Sequence, residues 1–330
     1  MSAADAEHLV LYGLRIESQL ALRQQRVTGD RGPVDLNIRL GRPIESTETP
    51  PPGRLLLDLE MARRLYCATE DDEGRYVLRC HRICDFAIDR DLRNVTVHIV
   101  SGADPDMAAV LATGTLLSFI LAIGGHTVLH ASAVEVDDVA LAFVGASGMG
   151  KSTMAALMCS DGASLITDDV LRLDVEEAGG QPTCHLGATE LRLRKAVGDL
   201  AERFHGAVEK RRTSDGRVAL RMPGSARDGL PLVGIIIPIP DHDSERVTPE
   251  IERIDAKGAL LGLLQFPRIL GWRDRGILDR HFHQLGEVVA RVPVYRARMP
   301  WGPPFLAGIA ETVTDAVGIG SAYSPGIAAR

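Results

Sequence analysis

The sequence predicts an α/β fold, with a phosphate-loop domain preceded by a smaller β-rich amino-terminal region. Three observations lead there. An apolar strand candidate at residues 140–144 runs into a glycine-rich loop, and a helix candidate at 151–159 follows it. From residue 105 onward, β-branched segments alternate with helical ones, as strand–helix–strand units do. Residues 9–100 instead carry strand patterning almost throughout. At 330 residues, 45% of them hydrophobic, the chain has material for a full core and a second, smaller domain. The expected division is a β-rich region at 1–104, a phosphate-loop domain at 105–318 and a flexible tail at 319–330.

In chain order, strands are expected at residues 9–16, 34–40, 75–79 and 95–99, with a loop at 45–53 where Pro50, Pro51 and Pro52 follow Pro43. Residues 107–123 are apolar but fall short of the ~20 residues that cross a bilayer. They also contain Thr113, Gly114, Thr115 and Ser118, so a buried helix capped by Asp104 or Asp106 is expected. Strands at 128–136 and 139–144 flank Asp137-Asp138, which suits a hairpin turn. A short strand at 163–167 follows the 151–159 helix. Residues 190–203 look helical at their end, and 206–216, with Lys210, Arg211 and Arg212, reads as a mobile basic loop. An apolar strand at 232–239, helices at 258–264 and 279–291, and a closing strand at 294–298 complete the domain.

The net charge of −7 argues against a general nucleic-acid binder, which needs a basic surface. The acidic start lacks a secretion-signal pattern, and five cysteines with no regular framework suggest reduced thiols; a cytoplasmic, non-membrane protein is expected. Cys80, His81 and Cys84 are close together but lack the second ligand pair of a zinc site, and their segment reads as a strand.

Residues Gly145-Ala146-Ser147-Gly148-Met149-Gly150-Lys151-Ser152 fit G-x-x-x-x-G-K-[ST] without a gap, between the strand and helix that motif requires. Glycines let the backbone curl its N–H groups toward one point, and the helix start adds a positive dipole end. Gly145, Ser147, Gly148, Met149, Gly150, Lys151, Ser152 and Thr153 are therefore the expected nucleotide-binding residues. Lys151, one of only four lysines, would neutralise the outer phosphates, and the Ser152 hydroxyl would hold Mg²⁺. Asp168 and Asp169 end the 163–167 strand. If it runs parallel to 140–144, both strands end on one sheet edge and the carboxylates lie beside the loop. There, one carboxylate can hold Mg²⁺ and the other accept the proton of an incoming hydroxyl. The expected hairpin would carry His130 to the same end, with His126 as a competing candidate.

The run His130-Ala131-Ser132-Ala133-Val134, the loop Gly145–Ser152, Gly162 and Asp168-Asp169 resemble, in order and spacing, the C-terminal kinase domain of HPr kinase/phosphorylase. They look closest to its relatives that phosphorylate lasso-peptide precursors. The resemblance implies a P-loop kinase domain with a fold akin to phosphoenolpyruvate carboxykinase. It also implies ATP with Mg²⁺, and transfer to a serine of a peptide or protein. On that match Lys151 binds phosphates, Ser152 the metal, Asp168 is the general base, Asp169 a metal-associated carboxylate and His130 the active-site histidine. Glu190 joins the metal set, with Glu190 or Arg192 matching a later acidic and basic pair. Ser152-Thr153 stands where the family has Ser-Glu, and its later glycine-bearing signature is not recognisable at 191–198. Those departures set the HPr substrate and the reverse reaction apart from the expectation.

The expected activity is thus a Mg-dependent serine kinase. A small-molecule kinase of the same fold and a nucleotide-gated binding module without transfer are the alternatives. A homo-oligomer is compatible with any of these.

Overall fold

The computed structural model describes residues 6–24, 32–175, 179–193, 200, 204, 209–212, 218–222, 224–225, 227–242, 248–305 and 308–319. The chain forms two compact units, Met1–Val128 with Arg268–Phe282, and Leu129–Pro267 with His283–Arg330. The first takes in the apolar helix after residue 104 as well as a segment from far down the chain, so it is larger than the β-rich region expected at 1–104.

The first unit holds a sheet of eight strands: β1 (Glu7–Leu11), β2 (Leu14–Ser18), β3 (Leu36–Leu40), β4 (Arg54–Glu60), β5 (Arg64–Glu70), β6 (Tyr76–Cys80), β7 (Cys84–Ile88) and β8 (Asn94–Ile99). Their order is β1-β2-β3-β8-β7-β6-β5-β4. The strand expected at 9–16 is instead the β1–β2 hairpin. Its turn residues Tyr12 and Gly13 both have left-handed backbone, φ 56° and 71°, the geometry whose twist matches two antiparallel strands. Tyr12 tolerates that conformation because its ring is fully buried and its hydroxyl donates to the Thr113 carbonyl at 3.4 Å.

Thr113 belongs to the apolar helix. Helix α1 (Pro105–Leu111) passes through a π-helical turn (Ala112–Leu116) into α2 (Leu117–Ile123). Asp104 caps it, its carboxylate accepting from the Asp106 N–H at 2.9 Å. The polar side chains inside it bond its own backbone: Thr113 to the Ala109 carbonyl at 3.2 Å and Ser118 to that of Gly114 at 2.6 Å. The stretch Pro105–Ile123 is long and apolar enough to cross a membrane, but 67% of its apolar window is buried inside the protein. Phe119, on α2, is held between Tyr76, edge-on at 5.9 Å, and Trp272, stacked at 5.7 Å.

The second unit is a mixed sheet with helices on both faces. Its strands are β9 (Thr127–Leu129), which enters the unit at Leu129, β10 (Ala131–Val136), β11 (Val139–Val144), β12 (Ser164–Thr167), β13 (Leu171–Asp174), β14 (Thr183–Cys184), β18 (Leu230–Asp241), β19 (Glu250–Ile254) and β20 (Val294–Pro300). The order is β12-β10-β11-β18-β14-β13-β9, with β20 beside β18 and β19 beside β20. A separate sheet joins β15 (Glu190–Leu193), β17 (Val218–Arg221) and β16 (Glu209–Arg212) in that order.

The sequence of β11, Val-Ala-Leu-Ala-Phe-Val, is apolar on both sides because both faces are covered. Leu141 and Phe143 meet α3 (Lys151–Ser160) and α6 (Ile309–Val317) in one apolar cluster. Ala140, Ala142 and Val144 share the other with α4 (Ala256–Leu263) and α5 (Arg275–Arg291).

Strand β10 pairs antiparallel with both β11 and β12. Strand β12 therefore runs parallel to β11, as expected, but one strand removed from it. The β10–β11 turn, Asp137-Asp138, is left-handed at both residues, φ 49° and 68°, the two-residue hairpin that the pair suggests. The single strand expected at 128–136 breaks at His130, whose N–H goes to the Phe266 carbonyl at 3.0 Å.

Residues 190–193, expected to lead into a helix, form β15, since Leu191 and Leu193 alternate into the core; residues 194–199 lie outside the described set. The basic run expected as a loop contributes β16, paired with β17, while 206–208 and 213–216 lie outside the described residues. The tail expected as flexible begins beyond α6, a helix the sequence pattern did not reveal, and 320–330 lie outside the described residues.

Candidate active site

The glycine-rich loop joins β11 to α3. Gly148 and Gly150 have φ 95° and 86°, conformations that side chains rarely adopt, and Gly150 caps the helix without any side-chain bond to its first amides. Those amides and the helix dipole make a candidate anion cradle. Lys151, on the first turn, is 6% exposed and curls its Nζ over the loop to the Ala146 carbonyl at 3.0 Å. The Ala146 N–H donates to Met149 Sδ at 3.1 Å, while Ala146, Ser147 and Gly148 face solvent.

The acid pair sits at the carboxyl end of β12, and the two side chains go separate ways. Asp168 is 4% exposed. Its Oδ1 accepts from Ser152 Oγ at 2.8 Å and Ser132 Oγ at 2.5 Å, and its Oδ2 from the Arg192 N–H at 3.4 Å. Asp169 takes a left-handed backbone, φ 73°, which turns its carboxylate toward His130, Oδ1 to Nε2 3.2 Å. That side chain is half exposed. A non-glycine residue holds such a conformation only where its surroundings impose it. Here the Asp168 N–H is tied to the Ala188 carbonyl at 2.8 Å, and Thr167 Oγ1 bonds the Val170 carbonyl at 2.6 Å.

Burial pushes the Asp168 carboxyl above its usual range, and the Asp169 charge adds to that. The Ser132 and Ser152 hydroxyls and the Lys151 ammonium pull it back. The same burial, with the Asp168 charge nearby, drives the Cys159 thiol up to about 12, so it stays protonated and unreactive.

The segment that supplies the Ala188 carbonyl starts from a second charged cluster. His185 Nε2 faces Asp174 Oδ2 at 2.8 Å and Nδ1 faces Asp228 Oδ1 at 3.1 Å, while Asp228 also accepts the Leu186 N–H at 2.8 Å. Two carboxylates hold the imidazole charged, its pKa raised to about 9 by Asp174 first and then Asp228.

Of the residues singled out in the sequence, the structure brings Lys151, Ser152, Asp168, Asp169 and His130 to one end of the sheet. His126 lies in the other unit. The residues expected to hold a metal have these partners: Ser152 bonds Asp168, Asp169 faces His130, and Glu190, 9% exposed on β15, accepts from the Arg192 Nε at 3.3 Å. Among the described residues no group of three or more His, Cys, Asp or Glu forms a metal cage.

A Mg²⁺ carried by phosphates needs no such cage, because it keeps waters and takes one or two protein oxygens. The Ser152 hydroxyl and Asp168 carboxylate, 2.8 Å apart beside the cradle, fit that demand. Sequence reasoning passed over Ser132, although it stands in the quoted His130-Ala131-Ser132 run. Its place on β10 two residues past His130 was the available signal.

No family model matches the chain, and no curated protein matches it. Among solved structures it is similar to the Hpr(Ser) kinase/phosphatase from Coxiella burnetii, at 13% identity over 58% of this chain and 95% of that one, with a TM-score of 0.29. An overlap that loose transfers no role from that protein, so the chemistry of this mixed α/β chain rests on its own side chains.

Proposed function

We propose that the chain is a Mg-dependent phosphotransferase of the kinase type, moving the terminal phosphoryl group of ATP to a serine hydroxyl of a peptide or protein. The observation that carries this reading is the convergence of the anion cradle with two carboxylates in different environments. Asp168 is buried against Ser152, and Asp169 is open to solvent against His130.

The cradle and Lys151 would bind the donor phosphates, and Ser152 with Asp168 would hold the Mg²⁺. When bound, that cation neutralises charge on the phosphate oxygens and orients them. The half-exposed Asp169 is the carboxylate an incoming hydroxyl can reach, so the base role assigned to Asp168 on resemblance passes to Asp169. The acceptor oxygen bonds to the terminal phosphorus as the bridging P–O bond breaks. Its proton goes to Asp169, with His130 orienting that carboxylate, and ADP carries away the bond's electron pair. Serine as acceptor is supported by the resemblance of the His130–Asp169 segment.

The test is incubation with γ-labelled ATP, Mg²⁺ and serine-containing peptides, reading label and mass on the acceptor. Lys151→Ala should abolish donor binding. Asp169→Asn should lose transfer while keeping Mg–ATP binding, whereas Asp168→Asn should lose both. Full transfer by Asp169→Asn would remove the base assignment, and full transfer by Lys151→Ala would remove the phosphate site itself.

A further inference from the structure

The last glycine of the phosphate loop is hemmed in. A Cβ built on Gly150 would lie 2.2 Å from Cη2 and 2.6 Å from Cζ2 of Trp301, so the benzo rim of the indole rests against the backbone where α3 begins. Trp301 is anchored independently of the loop. It follows β20, its backbone N–H donates to the Asp241 carbonyl at 3.0 Å, and its ring meets Phe305 edge-on at 5.5 Å. The indole also packs on the apolar cluster shared by α3 and α6.

An anion cradle works only while its N–H groups converge, and a glycine-rich backbone has little preference of its own for that arrangement. The outer loop residues face solvent. The Met149 sulfur bonds the loop at Ala146, and Trp301 backs it at Gly150. We infer that Trp301 is a positioning residue, whose indole keeps Gly150 left-handed and so holds the first amides of α3 aimed at a phosphate ligand. This rests on the phosphate-site reading above and adds a residue that no sequence motif marks.

The chain has two tryptophans, so Trp272→Phe leaves Trp301 as the sole indole fluorophore. In that variant, Mg–pyrophosphate and Mg–ATP should both shift the emission, because the indole touches the loop that both ligands share. A response to ATP with none to pyrophosphate would overturn the inference and make the indole a nucleoside contact instead.

In steady state, Trp301→Ala should raise the KM for ATP on the order of tenfold and leave kcat near wild type, with Trp301→Phe recovering most of the loss. An unchanged KM in folded Trp301→Ala would overturn it. Should that variant not fold, Gly150→Ala serves: its weakened pyrophosphate binding should be partly restored by adding Trp301→Phe, which removes the atoms the new methyl meets. Absence of any rescue would count against the inference. If Lys151→Ala weakens binding while the Trp301 variants do not, this inference alone falls. If the wild-type chain binds neither ligand, the phosphate-site reading falls with it.

Discussion

Replacing His185 with glutamine should cost stability in a way that depends on pH. The imidazole stands between Asp174 and Asp228 and has its pKa raised from 6.5 to about 9. A cation whose folded pKa exceeds its unfolded one stabilises the fold fully below the unfolded value, and the benefit vanishes as pH rises through the folded value. The window here runs from pH 6.5 to about 9. A displacement of that size caps the effect at about 3 kcal/mol. Solvent screening at this part-open cluster brings it to about 2 kcal/mol. Glutamine keeps one hydrogen bond but no charge, and Asp174 retains its Arg172 partner at 2.9 Å.

Urea unfolding of both proteins at pH 6 and pH 10 reads the effect. The wild type should be ahead by about 2 kcal/mol at the lower pH and by a few tenths at the higher. A gap that is constant with pH, or larger at pH 10, would refute the clamp. Because the chain runs from His185 directly to the Ala188 carbonyl that ties the Asp168 N–H, the variant should also transfer phosphate more slowly at pH 6.

Other consequences are as direct. Ser132→Ala removes a buried hydrogen bond to the Asp168 carboxylate. It should cost about 2 kcal/mol in urea unfolding and move the acidic limb of the activity profile to higher pH, since that hydroxyl helps hold the carboxyl down. Asp104→Ala deletes the cap of α1 and should cost about 1 kcal/mol in thermal or urea melts, with no change in donor KM.

Much of the candidate site was legible along the chain because its signals are contiguous. The glycine loop, its flanking strand and helix, the acid pair and the Asp137-Asp138 turn are local patterns whose conformations follow from φ preferences and periodicity. Other features lie in pairings distant in sequence. The loop expected around Lys210 provides β16 because Glu209–Arg212 finds β17 as a partner. The apolar helix after residue 104 belongs with the first unit, where Phe119 packs against Tyr76 and against Trp272 from far down the chain.

By itself, then, the amino-acid order determined that a glycine-rich loop between a strand and a helix, a histidine and two adjacent aspartates would exist, and that an α/β sheet would present them. Only the tertiary structure decided which aspartate lies buried and which meets solvent. Adjacent side chains look alike in a sequence, yet the left-handed backbone of Asp169 sends one carboxylate to His130 and leaves the other buried against Ser132 and Ser152. Burial and hydrogen bonding, which set the chemistry of a carboxylate, come from neighbours that only folding brings near.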